Sequence, residues 1–187
     1  RWSLIAGIIG FGLILAFMCA YYRVPGLVGV ISLIIYIIFV LALFKMRVIP
    51  LTLTLPGIAA LILSIGMAVD ANILIIERMK EELRAGRTFQ AAVEAGYARA
   101  WPAIRDGNFT TFIICVILLI VGRETAEPRI VSFGGTLLIS ILVSMFTAMV
   151  ISKAFMRILA AIKAFQKPSL WFMPVGKISG RSPQEIG

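Results

Sequence analysis

Asp70 is the residue whose type and setting most directly imply chemistry. It lies inside an apolar block running from about Leu55 to Ile76, interrupted otherwise only by Asn72. Counting about 1.5 Å per residue from Glu77 puts it roughly 10 Å inside the end of the implied helix. A long cation can snorkel that far, but an aspartate cannot. An ionised aspartate near the centre of a membrane helix costs about 2.5–3.5 kcal/mol, so the group must be protonated, paired or hydrated from an internal cavity. Intramembrane carboxylates mark ion or proton paths, which makes Asp70 the candidate proton-relay residue. The competing reading is a structural hydrogen bond between helices.

The neighbours of Asp70 predict a packed position. Leu63, Gly66, Asp70 and Ile73 share one helical face, and Gly66, one turn away, would admit a close helix approach. Asn72 is turned away from Asp70 and is expected to bond another helix. A second polar cluster is Asp106-Gly107-Asn108 followed by Thr110 and Thr111, with Asn108 and Thr111 on one side. Gly107 and Asn108 would loosen a helix start there and expose backbone groups to a cavity. Asp106, close to the surface, reads equally as a hydrated cap or as relay support. Thr136, Ser140, Ser144 and Thr147 form a stripe of small hydroxyl residues, the signature of a helix-packing seam.

These residues must be held by membrane helices. Sixty per cent of the 187 residues are apolar and only 14% are charged, which excludes an ordinary soluble domain. A span needs about 20 apolar residues. Five blocks approach this, at about 2–20, 27–44, 55–76, 106–121 and 130–151, punctuated by Pro25-Gly26, Pro50 and the polar stretch from Gly122 to Arg129. The expected architecture is an all-α integral membrane bundle over 1–164, with a cytoplasmic helical connector at 78–105 and a partly flexible cytoplasmic tail at 165–187. In that tail Trp171 and Phe172 are candidate interface anchors.

Charge sets the orientation. With the first residue outside, Arg23, the six cations from Arg78 to Arg105 and the six from Lys153 to Arg181 all face inward. The outer side keeps only Arg1, Lys45, Arg47, Arg123 and Arg129, so the tail is cytoplasmic. The net charge of +9 belongs to these gaps between spans and does not imply nucleic acid. In the connector, Gly86 ends a helical extension of the third span. Thr88 caps a second helix whose Phe89, Ala92, Val93, Gly96, Tyr97 and Ala100 make one face, with Arg99 outward.

The chain has no histidine, and Cys19 and Cys115 lie within apolar blocks. No metal cluster, disulfide framework, Ser/His or Cys/His arrangement or nucleotide-binding loop is implied, so the expectation is no cofactor, no metal and no enzyme. Any work must be driven by a partner or an ion gradient. No signal-peptide pattern opens the sequence and a full span follows Arg1 directly, so an upstream segment is expected.

Gly66-Met67-Ala68-Val69-Asp70-Ala71-Asn72, then Glu77-Arg78 and Glu81-Glu82-Leu83-Arg84, resemble the signature of the SecD family. Gly86-Arg87-Thr88, Ala95-Gly96-Tyr97 and Asp106-Gly107-Asn108-Phe109-Thr110-Thr111 continue it, as do Leu53 to Ala59 upstream and Ser144 to Ala148 downstream. The family usually has Asp-Ala-Asn where this chain has Asp106-Gly107-Asn108. The resemblance implies an RND-type half-bundle in a prokaryotic inner membrane, paired with a SecF-like subunit. It would act with the SecYEG channel on a translocating polypeptide, drawing on the proton-motive force, with Asp70 at the proton-relay position. A different proton-coupled RND exporter and a non-transporting translocon scaffold are the rival readings.

Overall fold

A computed structural model of the chain describes residues 2–45 and 54–161. The expectations for the tail and for the outer turn around Pro50 lie outside the described residues. Within them the fold is helical: α1 (Trp2–Lys45), α2 (Leu55–Arg84), α3 (Phe89–Glu124), α4 (Pro128–Phe146), a π-helical segment (Thr147–Ser152) and α5 (Lys153–Ala161). Among the described residues four stretches are long and apolar enough to cross a membrane.

The first of these stretches is two arms. Arg23 breaks helical geometry at φ 48°, ψ −117°. In a continuous helix Gly26 would stand about 12 Å beyond Met18. Instead, a Cβ at position 26 would lie 2.1 Å from the Met18 carbonyl oxygen, so only glycine lets the returning arm pass. The reversal thus centres on Arg23 and needs almost no loop. Phe11, Ile14 and Met18 of the outgoing arm pack with Val30, Leu33, Tyr36 and Val40 of the returning arm.

α2 starts at Thr54, whose hydroxyl accepts from Gly57 N–H, with proline in the first turn. It ends in a Schellman motif: Arg87 N–H reaches Glu82 C=O, Gly86 N–H reaches Leu83 C=O, and Gly86 takes φ 84°. Thr88 then caps α3, accepting from Ala91 N–H.

α3 corrects one expectation. The connector and the fourth span form a single helix that runs through Pro102 and Asp106-Gly107-Asn108 without a break. The polar side chains reinforce the ladder: Asn108 Nδ2 donates to Ile104 O, Thr110 Oγ1 to Asp106 O and Thr111 Oγ1 to Gly107 O. Gly107 therefore does not loosen a helix start, and Asp106 is no cap.

At one end α3 lies directly on α2. A Cβ at Gly96 would come within 2.8 Å of Met79 Cα and N, so the two backbones meet there. Ala92, Val93, Tyr97 and Ala100 fill the surrounding core with Ile75, Ile76 and Met79. Five polar links tighten this end. Arg99 and Arg87 both bind Glu82, Glu94 binds Lys153 and Arg157, and Tyr97 OH pairs with Ser152 Oγ at 2.8 Å. Arg99 holds the Glu82 carboxyl below the usual range. A hydrogen bond from Arg157, followed by the influence of Lys153, brings Glu94 down to about 2.

Candidate functional site

Asp70 lies on the outside of this chain, on the face shared by α2 and α3. That corrects the expectation of a packed position. Leu63, on the same face, is also exposed. Gly66 is exposed too, and among the described residues nothing stands within 4 Å of a Cβ built on it, so it brings none of the described helices close. The physical reason is the direction of α2. Its Gly57, Ala60, Ser64, Ala68 and Asn72 line the buried face and pack inward, leaving Gly66 and Asp70 on the other side.

Asp70 borders an open groove of about 260 Å³ between the two helices. Met67, Ala71 and Leu74 line it on α2, and Ala103, Ile104, Gly107 and Asn108 line it on α3. The fold thus brings Asp70 and Asn108 to one concavity. The Asn108 amide nitrogen is committed to Ile104 O at 2.8 Å, which leaves its carbonyl oxygen to meet a donor or water. Gly107 has nothing within 4 Å of a built Cβ, so its lack of a side chain widens the groove rather than relieving a clash. A groove of this volume holds several waters, and polar groups on both walls can bind them.

The rest of the polar cluster is not gathered there. Asp106 is exposed and pairs with its neighbour Arg105 at 3.0 Å, and Thr110 and Thr111 turn back onto their own helix. Asn72 faces the interior, but its Nδ2 donates to Ala68 O of α2 at 3.1 Å, not to another helix. Small polar side chains back-bond in this way when no partner helix offers a better acceptor.

Thr136, Ser140 and Ser144 on α4 and Thr147 at the start of the π-helical segment are all buried. Ser144 and Thr147 satisfy their hydroxyls on Ile141 O and Ser144 O. Ser132 Oγ meets Thr54 Oγ1 at 2.5 Å at the far end of the same stripe. Tyr36 joins it in the middle, its OH 2.7 Å from Ser64 Oγ. Composition gave no reason to single out Tyr36. Its spacing of four from Ser32 was the available signal. Among the described residues no group of three or more His, Cys, Asp or Glu is placed to hold a metal.

Residues 1–161 match the family model described as protein export membrane protein SecD/SecF, C-terminal. A protein translocase subunit SecD from Thermobaculum terrenum is 46% identical over 94% of this chain and 33% of its own length. One from Dehalococcoides mccartyi is 50% identical over 89% of this chain and 37% of its own. The chain therefore spans about a third of the length of these relatives. A crystal structure of SecDF, a translocon-associated membrane protein from Thermus thermophilus, superposes with a TM-score of 0.77. It is 34% identical over 84% of this chain and 21% of its own. A reversing pair of arms, a carboxylate on the open face of α2 and an unbroken α3 opposite it thus sit in a chain that belongs to the SecD/SecF C-terminal family.

Proposed function

We propose that this chain is the membrane half-bundle of a Sec protein-export subunit that couples the proton-motive force to late steps of polypeptide translocation or membrane insertion. The observation that supports this reading is Asp70, an acid deep in an apolar span, bordering an open groove opposite Asn108. A charge there is costly unless water or a cation reaches it, so gaining a proton changes which surroundings the face prefers. A face that is charged in one state and neutral in the other favours two arrangements of the helices, and alternate access to the two sides would make proton flow drive motion. Each proton delivers about 2.3 kcal/mol per 100 mV, and about 1.4 more per pH unit. That biases a two-state equilibrium tenfold or more.

The partner in this reading is a SecF-like half-bundle covering the open face. Phe109, Ile113, Ile117 and Ile120 are exposed along α3, and Gly66 and Gly107 leave backbone accessible beside Asp70. Bare glycine backbone in a membrane face favours close approach by another helix. The reading places Arg23, Arg84 and α5 on the cytoplasmic side, the loop around Ala126 outside, and the whole in a prokaryotic inner membrane with the SecYEG channel as neighbour.

The test is Asp70→Asn in the full-length complex, which keeps size and a carbonyl but cannot exchange a proton. The variant should assemble, yet lose gradient-stimulated translocation into inverted vesicles. Asp70→Glu should retain part of it. Unchanged gradient dependence in Asp70→Asn would reject the relay and leave a scaffold.

A further inference from the structure

The charged end of the bundle holds a second cavity, of about 310 Å³, between the start of α3 and α5. Gln90, Val93 and Glu94 line it on α3, and Arg157 and Ala160 line it on α5. Val93 and Ala160 are buried and make an apolar floor, so the chemistry belongs to Gln90, Glu94 and Arg157. Glu94 and Asn108 stand about 21 Å apart along the unbroken α3, so this cavity is not the Asp70 groove.

The polar groups are arranged for an anion. Glu94 is held by two cations: Arg157 Nε binds Oε1, and Lys153 Nζ lies 3.1 Å from Oε2. Both carboxylate oxygens are thereby engaged, and the trio keeps a surplus positive charge. Glu94 takes the guanidinium by Nε alone. Among the described residues Arg157 Nη1 and Nη2 meet no acceptor, and the Gln90 amide makes no hydrogen bond. A planar fork of N–H donors on one wall and an amide on the other match the oxygens of a phosphate.

Depth selects the source of that phosphate. Gly96 meets Met79, which lies just past Glu77, where the apolar stretch of α2 ends. Met79 is two residues beyond Glu77 and Glu94 two beyond Gly96, which sets Glu94 about 6 Å outside the apolar slab. The headgroup layer fills about 5–7 Å on each side of that slab. Ile158, next to Arg157, is 60% exposed and offers an apolar surface to acyl chains.

We propose that this cavity binds the phosphate of an anionic phospholipid from the leaflet at this end of the bundle. Arg157 Nη1 and Nη2 donate to phosphate oxygens from α5, and Gln90 Nε2 donates to another from α3. Glu94 does not touch the lipid; it fixes the plane of the guanidinium. The surplus charge favours a headgroup without a cation of its own, as in phosphatidylglycerol, over phosphatidylcholine. A lipid held in this way ties α5 to α3, so the docking of α5 depends on lipid composition. The site stands whether or not Asp70 relays protons.

Native mass spectrometry of the full-length protein, titrated with phosphatidylglycerol or phosphatidylcholine, reads the site. Phosphatidylglycerol should fill one site per chain at least about tenfold more tightly. Arg157→Lys keeps the charge and the pairing with Glu94 but loses the fork, and should abolish that one binding event. Gln90→Leu should weaken it about tenfold, and Gln90 is exposed, so this variant needs no repacking to fold. Arg84→Lys, an exposed cation outside the cavity, should leave the lipid count unchanged. Undiminished binding in either Arg157→Lys or Gln90→Leu would overturn the site. Equal affinity for phosphatidylcholine, or displacement of the lipid by excess inorganic phosphate, would overturn its assignment to an anionic phospholipid.

Discussion

Gly96→Ala tests how the connector half of α3 is held on α2. The added methyl would stand 2.8 Å from Met79 Cα and N and 2.9 Å from Met79 Cβ. Carbon contacts settle near 3.5–4.0 Å. The obstacle is backbone in the middle of a helix, so α3 must retreat by about 1 Å. Overpacking of this kind costs about 1–3 kcal/mol, and alanine returns up to about 1 through helix propensity. The net loss is about 1–2 kcal/mol, or a fall of roughly 2–8 °C in Tm at this chain length. The retreat should also loosen the Arg99–Glu82 pair, and with it protection of residues 89–100 in hydrogen exchange. Thermal unfolding of the purified protein, followed by tryptophan fluorescence, reads the first effect. The controls are Gly66→Ala and Gly107→Ala, whose methyls meet nothing within 4 Å and should hold or raise Tm. A Gly96→Ala protein as stable as the unaltered chain would refute the close backbone contact.

Gly66→Ala and Gly107→Ala should nevertheless weaken association with the partner half-bundle, read as loss of co-purification, if another helix closes on those bare positions. Ser144→Leu, forcing bulk into a buried stripe, should lower thermal stability by several degrees, whereas Leu142→Ala at an exposed position should be mild. Because Arg157 and Lys153 hold the Glu94 carboxyl at about 2, their clamp on α5 is intact above the ordinary carboxylate range and is lost only as pH falls through that value. Hydrogen exchange of 153–161 should therefore be insensitive to the clamp from pH 5 to 9, while Glu94→Gln raises it at neutral pH. Arg84→Cys should resist an impermeant thiol reagent on intact cells and Ala126→Cys should react, in a background with Cys19→Ala and Cys115→Ala. The reverse pattern would invert the orientation.

Helices, caps and the connector's apolar face were legible because local chemistry decides them. Thr88 and Gly86 act through their own backbone and nearest turns, and Ala92, Val93, Gly96 and Tyr97 announce their common side by spacing alone. The direction of Asp70 was not legible. Gly66 reads as a packing residue whether its neighbour lies in the same chain or in another, and only the fold reveals that none of the described helices arrives. Continuity of α3 was missed for a related reason. A run such as Asp106-Gly107-Asn108 weakens a helix by propensity, but its side-chain bonds to the preceding turn and the flanking apolar stretch outweigh that local preference. The gap between the two arms of α1 was legible, but its hinge lies two residues before Pro25-Gly26, the pair that looks like the turn: Arg23 is the hinge and Gly26 the point of contact.

The π-helical segment acts as a phase correction. Ser144, Ala148, Ser152, Met156 and Ala160 are all buried at strict intervals of four. On an uninterrupted α-helix that spacing would spiral the stripe about 160° around the axis over its length, carrying Met156 and Ala160 off the core. One surplus residue absorbed in the wide turns of Thr147–Ser152 takes back about 100° of that drift. When relatives are aligned, a gap of one residue between Phe146 and Lys153 therefore does not mark a loop. It marks a helix with its vernier removed, whose C-terminal end must find a different neighbour for Tyr97.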